Sequence, residues 1–196
     1  MALLTKVTWN NIGMHQPQTN WYKGVWFPYS TPKYSFLLWL TIQNRLSTGD
    51  HIKAWNSGQQ VTCTLCGNAE ETRNLLFFSC HYTSEVWRTL TQRLLSNDYS
   101  RDWNRLLPLL CNTNMPTDLL FLFRYVFQAS VYHIWRERNA RRHGEISSPP
   151  NRLIKFIDKN VRNRINSIRD TGDHNYNACL QLWFSTRPLS STHSLG

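Results

Sequence analysis

Thr117-Asp118-Leu119-Leu120-Phe121-Leu122-Phe123-Arg124-Tyr125-Val126-Phe127-Gln128-Ala129-Ser130-Val131-Tyr132-His133-Ile134-Trp135-Arg136-Glu137-Arg138-Asn139-Ala140-Arg141-Arg142-His143 decides the fold. It holds no glycine or proline, and Thr117 or Asp118 can cap it while Gly144 stops it. Its first half is apolar nearly all round, which predicts a helix buried at the centre of a helical body. Its last turns become sharply polar.

Reading outward, Asn112 to Pro116 is a loop and the best place for a joint between two parts. Ser147-Ser148-Pro149-Pro150 is a linker on the other side. From Asn151, Leu153, Ile154, Ile157, Val161, Ile165 and Ile168 form one apolar stripe. Arg152, Lys155, Lys159, Arg162 and Arg169 lie largely off it, so this helix docks its stripe and turns its cations outward. Nearer the start, Pro32 opens a helix over Tyr34 to Leu46, and Asp50 can cap a short one through Trp55. Thr72 to Phe78 suits one or two helical turns. Thr83 or Ser84 can cap a helix carrying Val86, Trp87, Leu90, Leu94 and Leu95. Trp103 to Leu107 is a further short helix ending near Pro108. The expected class is therefore mainly α, with a small β-turn around two cysteines and a long C-terminal helical tail. The divisions are an arm at 1–19 whose Trp9, with Trp21 and Trp26 after it, docks on the core, a helical domain at 20–110, a basic tail at 117–185 and a loose end at 186–196.

The 196 residues include 9 Trp, 8 Tyr and 9 Phe, which excludes a disordered polar chain. Apolar runs are all too short to span a bilayer, and Met1 to Lys6 does not read as an export signal. The net charge is +10, and 16 of the 22 basic residues are Arg. The segment 136–169 alone holds 10 basic residues against Glu137, Glu145 and Asp158. Arginine's planar fork suits phosphate, so RNA or DNA is the expected partner. Arg136, Arg138, Arg141, Arg142, Arg152, Lys155 and Arg162 are the candidate contacts. The competing reading is a solvated helix face.

Five cysteines without an export signal point to reduced thiols or a metal. Cys63-Thr64-Leu65-Cys66-Gly67 can turn two thiolates toward one ion, and Cys80 is a fitting third for zinc. Alternatively the three pack as plain thiols under Leu75, Leu76 and Phe77.

Several motifs in order resemble a known family. They are Trp26-Phe27-Pro28, Thr31-Pro32-Lys33-Tyr34-Ser35-Phe36, Trp39-Leu40 and Asn44-Arg45-Leu46-Ser47-Thr48-Gly49-Asp50. Cys63-x-x-Cys66, Glu71-Thr72-Arg73, Leu76-Phe77-Phe78-Ser79-Cys80 and Val86-Trp87 follow. Together they resemble the reverse transcriptase zinc-binding domain of plant LINE-type (non-LTR) retrotransposons, over roughly residues 20–105. Tyr132 to Arg142 and Arg162-Asn163-Arg164 resemble the tail that often follows it. The resemblance implies a zinc site whose third ligand is a His five residues before the last Cys. Leu75 stands there, so the implied ligands are Cys63, Cys66 and Cys80, with His81 an uncertain fourth and His51 a more distant donor.

No Asp-Asp pair, phosphate-cradling Gly loop or set of spaced carboxylates is present, so catalysis is not expected. Glu70-Glu71 reads as a solvated turn. The expected function is a non-catalytic zinc- and nucleic-acid-binding module that assists a reverse transcriptase in cis or in trans. Its alternative is a decayed fragment serving only as a structural or protein-interaction domain. No membrane and no small-molecule substrate is expected. The expected location is intracellular, and nuclear if the chain follows such an element.

Overall fold

The computed structural model describes residues 21–55 and 61–187. The proposed docking of Trp9 lies outside them. Among the described residues the chain is mainly helical and has no strand, only one isolated antiparallel bridge between Thr62 and Glu70. The helices are α1 (Tyr22–Val25), α2 (Pro32–Ile42), α3 (Gly49–Trp55), α4 (His81–Leu95), α5 (Trp103–Leu109), α6 (Thr117–Arg142), α7 (Pro150–Arg169) and α8 (Cys179–Ser185). A π-helical turn, Leu75–Ser79, precedes α4. None of these helices is long and apolar enough to cross a membrane.

Helix α6 is the axis, as its apolar first half requires. Leu122, Phe123, Val126, Phe127, Ala129, Val131 and Ile134 have no exposed surface. Helices α2, α4, α7 and α8 pack around it. Phe127 meets Phe78, Trp87 and Trp103 at ring-centre distances of 5.4, 5.6 and 5.8 Å. Aromatic pairs of this kind add about 0.5–1.5 kcal/mol beyond their buried area. One connected core draws on residues from Val25 to Trp183, on both sides of the Asn112 to Pro116 loop. In α7, Leu153, Ile157, Val161, Ile165 and Ile168 are buried as the stripe predicts.

Several boundaries differ from the sequence reading. Helix α2 stops at Ile42, before Leu46, because Asn44 turns to a positive φ of 54° that a helix does not accept. Helix α4 begins at His81 rather than after Thr83 or Ser84. The hydroxyls of those two residues donate back to the carbonyls of Cys80 and His81, so they serve within the first turn and do not cap it. Helix α5 runs through Pro108 to Leu109. Trp26, expected to dock, is 38% exposed. Helix α8 has no marked signal in sequence, yet Trp183 is fully buried and its Nε1 donates to Asp158 Oδ1 at 2.8 Å. Thr186 and Arg187, read as the start of a loose end, are packed, and Arg187 donates to the Leu90 carbonyl at 2.6 Å.

Candidate metal centre

The knuckle is built by its own backbone. Cys63 N–H donates to the Ala69 carbonyl and Glu71 N–H to that of Val61, which pair the two arms around the Thr62–Glu70 bridge. Gly67 N–H donates to the Cys63 carbonyl at 2.7 Å, closing the turn. Gly67 sits at φ +72°, a conformation in which a side chain is strained, and this is why a glycine follows the second cysteine. The third sulfur comes from the far side of the π turn. Cys80 N–H donates to the Leu75 carbonyl, an i→i+5 bond, and Cys80 then stands immediately before α4.

The ligand atoms of Cys63, Cys66 and Cys80 all lie within 4.8 Å of one another. Cys63 and Cys80 are buried and Cys66 is half-buried. The Cys63 and Cys80 sulfurs lie against each other in this group. That contact pulls the Cys80 pKa down to about 5, against the effect of burial, with help from N–H groups at the start of α4. The same contact, with burial, pushes Cys63 up. Three sulfurs this close are a donor set of the kind zinc takes, and as thiolates they fit the ion with one position left over.

His81 does not join the group. It is exposed on the first turn of α4 and faces a different groove, with Glu85, Arg88 and Arg101. Its backbone follows Cys80 into the helix, which sends the two side chains apart. His51 does not belong to the group either, and its Nε2 lies 2.8 Å from Asn44 Nδ2. Leu75 is half-buried against the core and offers no ligand atom.

What holds the knuckle against the body is an ion pair that sequence reasoning missed. Glu71, expected in a solvated turn, has no exposed surface. Its carboxylate accepts from Arg138 Nε at 3.1 and 3.2 Å and from the same residue's terminal NH2 group. It also accepts the N–H groups of Gly49 at 3.0 Å and Thr64 at 3.5 Å. Arg138 spends its remaining donors on the Ser47 carbonyl and Asn139, with its guanidinium 4.8 Å from the Trp135 ring centre. Only the spacing Glu71-x-Arg73 within a motif hinted at a role, and nothing marked its partner.

Arg141 works beside it. It pairs with Glu137, donates to the carbonyls of Leu65 and Ser148, and lies over the Tyr82 ring at 4.5 Å. Thus two of the seven candidate phosphate contacts, Arg138 and Arg141, point inward and brace the knuckle. Arg162 is paired with Asp158 at 2.9 Å and 40% exposed along its side chain. Arg136, Arg142, Arg152 and Lys155 are exposed, and none of the described ion pairs includes them. Arg136 and Arg152 line one groove of about 310 Å³ between α6 and α7.

A family model described as zinc-binding in reverse transcriptase matches residues 4–87. That range takes in Cys63, Cys66, Cys80 and Glu71 and ends at Trp87, before α6 and α7. No curated protein and no solved structure matches the chain.

Proposed function

We propose that this chain, whose residues 4–87 match the zinc-binding segment of reverse transcriptases, is a non-catalytic module that contacts RNA or DNA. It would assist reverse transcription beside a polymerase acting in cis or in trans. A LINE-type element of a plant is the proposed origin, and the nucleus the proposed site of action. Cys63, Cys66 and Cys80 would hold zinc, which would cross-link the knuckle to the start of α4. Glu71 and Arg138 seat that knuckle on α6.

The observation that carries the reading is a division of labour among the arginines. Arg138 and Arg141 are consumed inside the fold, while Arg136, Arg142, Arg152 and Lys155 face solvent from the adjoining ends of α6 and α7. Exposed cations outside every described ion pair favour phosphate, although Glu145 shares the groove of Arg136 and Arg152. Binding of a labelled oligonucleotide should therefore weaken steeply, by tenfold or more, between about 50 and 200 mM salt. An affinity flat across that range removes the reading.

Leu75 supports a second reading, a decayed fragment that keeps only a structural or protein-interaction role. A ligand position of the resembled pattern is lost there. Failure to bind both zinc and nucleic acid, in a protein that still folds, selects it.

A further inference from the structure

We infer that a single strand of nucleic acid, and not a duplex, lies along a stripe of alternating cations and aromatic rings crossing α2, α6 and α7. This rests on the nucleic-acid reading above and goes beyond it in naming the strand form and the rings that take the bases.

Ring and cation contacts trace the stripe in two groups, which the spacing of Lys33 and Phe36 along α2 brings together. The Arg45 guanidinium lies 5.6 Å from the ring centre of Trp39. Trp39 meets Phe36 at 5.6 Å with the planes inclined by 32°, and Phe36 is 53% exposed. One helical turn earlier on α2, the Lys33 ammonium lies 5.4 Å from the ring of Tyr132 on α6. Arg136 lies 6.0 Å from that same ring. Beneath this surface the buried His133 touches Tyr132 and meets the ring of Phe156 at 4.9 Å, so it fixes the two rings and does not itself face a ligand. Phe156, on α7, is 47% exposed and shares its groove with Arg136 and Arg152. Glu145 also lines this groove, whereas the Glu137 carboxylate there is taken by Arg141 and the Ser148 N–H.

Phe36 and Phe156 each leave about half of their surface to solvent, so one side of each ring is open to a ligand. Cations with π faces between them match the repeat of a single strand, phosphate and then unstacked base. A duplex keeps its base faces inside its own stack and presents only phosphates, which leaves the rings without a partner. A polyanion without bases uses the cations alone.

The test titrates the full-length protein with three labelled probes at one salt concentration. They are a mixed-sequence single strand, the same strand with abasic sites, and its duplex. The intact single strand should bind at least tenfold more tightly than the abasic strand of equal charge. Phe36→Ala and Phe156→Ala should each weaken the intact strand by about tenfold and leave the abasic strand unchanged, and Phe156→Trp should restore binding. Arg152→Gln should weaken both strands. Equal affinity for intact and abasic strands, or a preference for duplex, overturns the stripe while the nucleic-acid reading stands. Binding to none of the probes overturns both.

Discussion

Glu71 and Arg138 stand 67 residues apart in the chain and form a buried ion pair, with side chains 0% and 2% exposed. The pair joins the cysteine knuckle, the start of α3 and the end of α6 at one point. Its charges are out of water, so the energy lies less in their attraction than in the cost of leaving either alone.

Glu71→Gln or Arg138→Met alone should each destabilise the protein by about 3–5 kcal/mol in urea unfolding. The double variant should recover part of that loss, because neither charge then remains buried without its partner. Losses that simply add would show that the two side chains are not coupled.

Zinc should raise the melting temperature of metal-free protein, and Cys63→Ser or Cys80→Ser should abolish the rise. Leu75→His should tighten zinc binding by an order of magnitude or more by supplying a fourth ligand. The π turn is the reason to expect this. In an α-helix positions five apart differ by about 140° around the axis, whereas the i→i+5 bond here closes one turn from Leu75 to Cys80. A histidine at 75 that leaves zinc affinity unchanged would mean that the turn directs this position away from the sulfurs.

Gly49→Ala should cost about 1–3 kcal/mol and weaken zinc binding with it. An added Cβ would meet Glu71 Cβ at 2.8 Å and the Val61 carbonyl oxygen at 2.9 Å. The glycine is required by close approach, since Glu71 must come near enough to accept its N–H. Gly67→Ala acts differently, through backbone strain with open space around it. Unchanged stability in Gly49→Ala would show that the knuckle shifts freely.

Acid should destabilise the fold through His133. The ring is 5% exposed and held against the Tyr34 hydroxyl at 3.0 Å. Burial, then the charges of Arg136 and Lys33, lower its pKa from 6.5 to about 4. The unfolded chain therefore takes up a proton before the folded one does. Stability is unaffected above the unfolded value, and falls as pH drops from about 6.5 to about 4, by up to ~3 kcal/mol. His133→Gln should flatten that part of the stability profile; a profile as steep as the parent's would assign the acid sensitivity to other groups.

The sequence by itself determined the helical class, the central helix, the docking stripe of α7 and the three sulfurs. The helices show as a period of 3.6 and the first two sulfurs as a two-residue spacing, both local patterns, whereas the expected N-terminal caps of α6 are not used: Thr117 and Asp118 lie inside it behind Pro116. It did not determine which arginine faces in. Arg136, Arg138, Arg141 and Arg142 follow one another in a single basic run; helical periodicity sets Arg136 about 160° from Arg138 but leaves Arg141 and Arg142 within about 60° of it. Arg138 is inward because Glu71 waits there, brought by a knuckle and a π turn whose position depends on the packing of Phe77 and Phe78. The helix start at His81 and the burial of Trp183 have the same origin. Burial and pairing are properties of surfaces brought together from distant parts of the chain, and only the assembled body sets them.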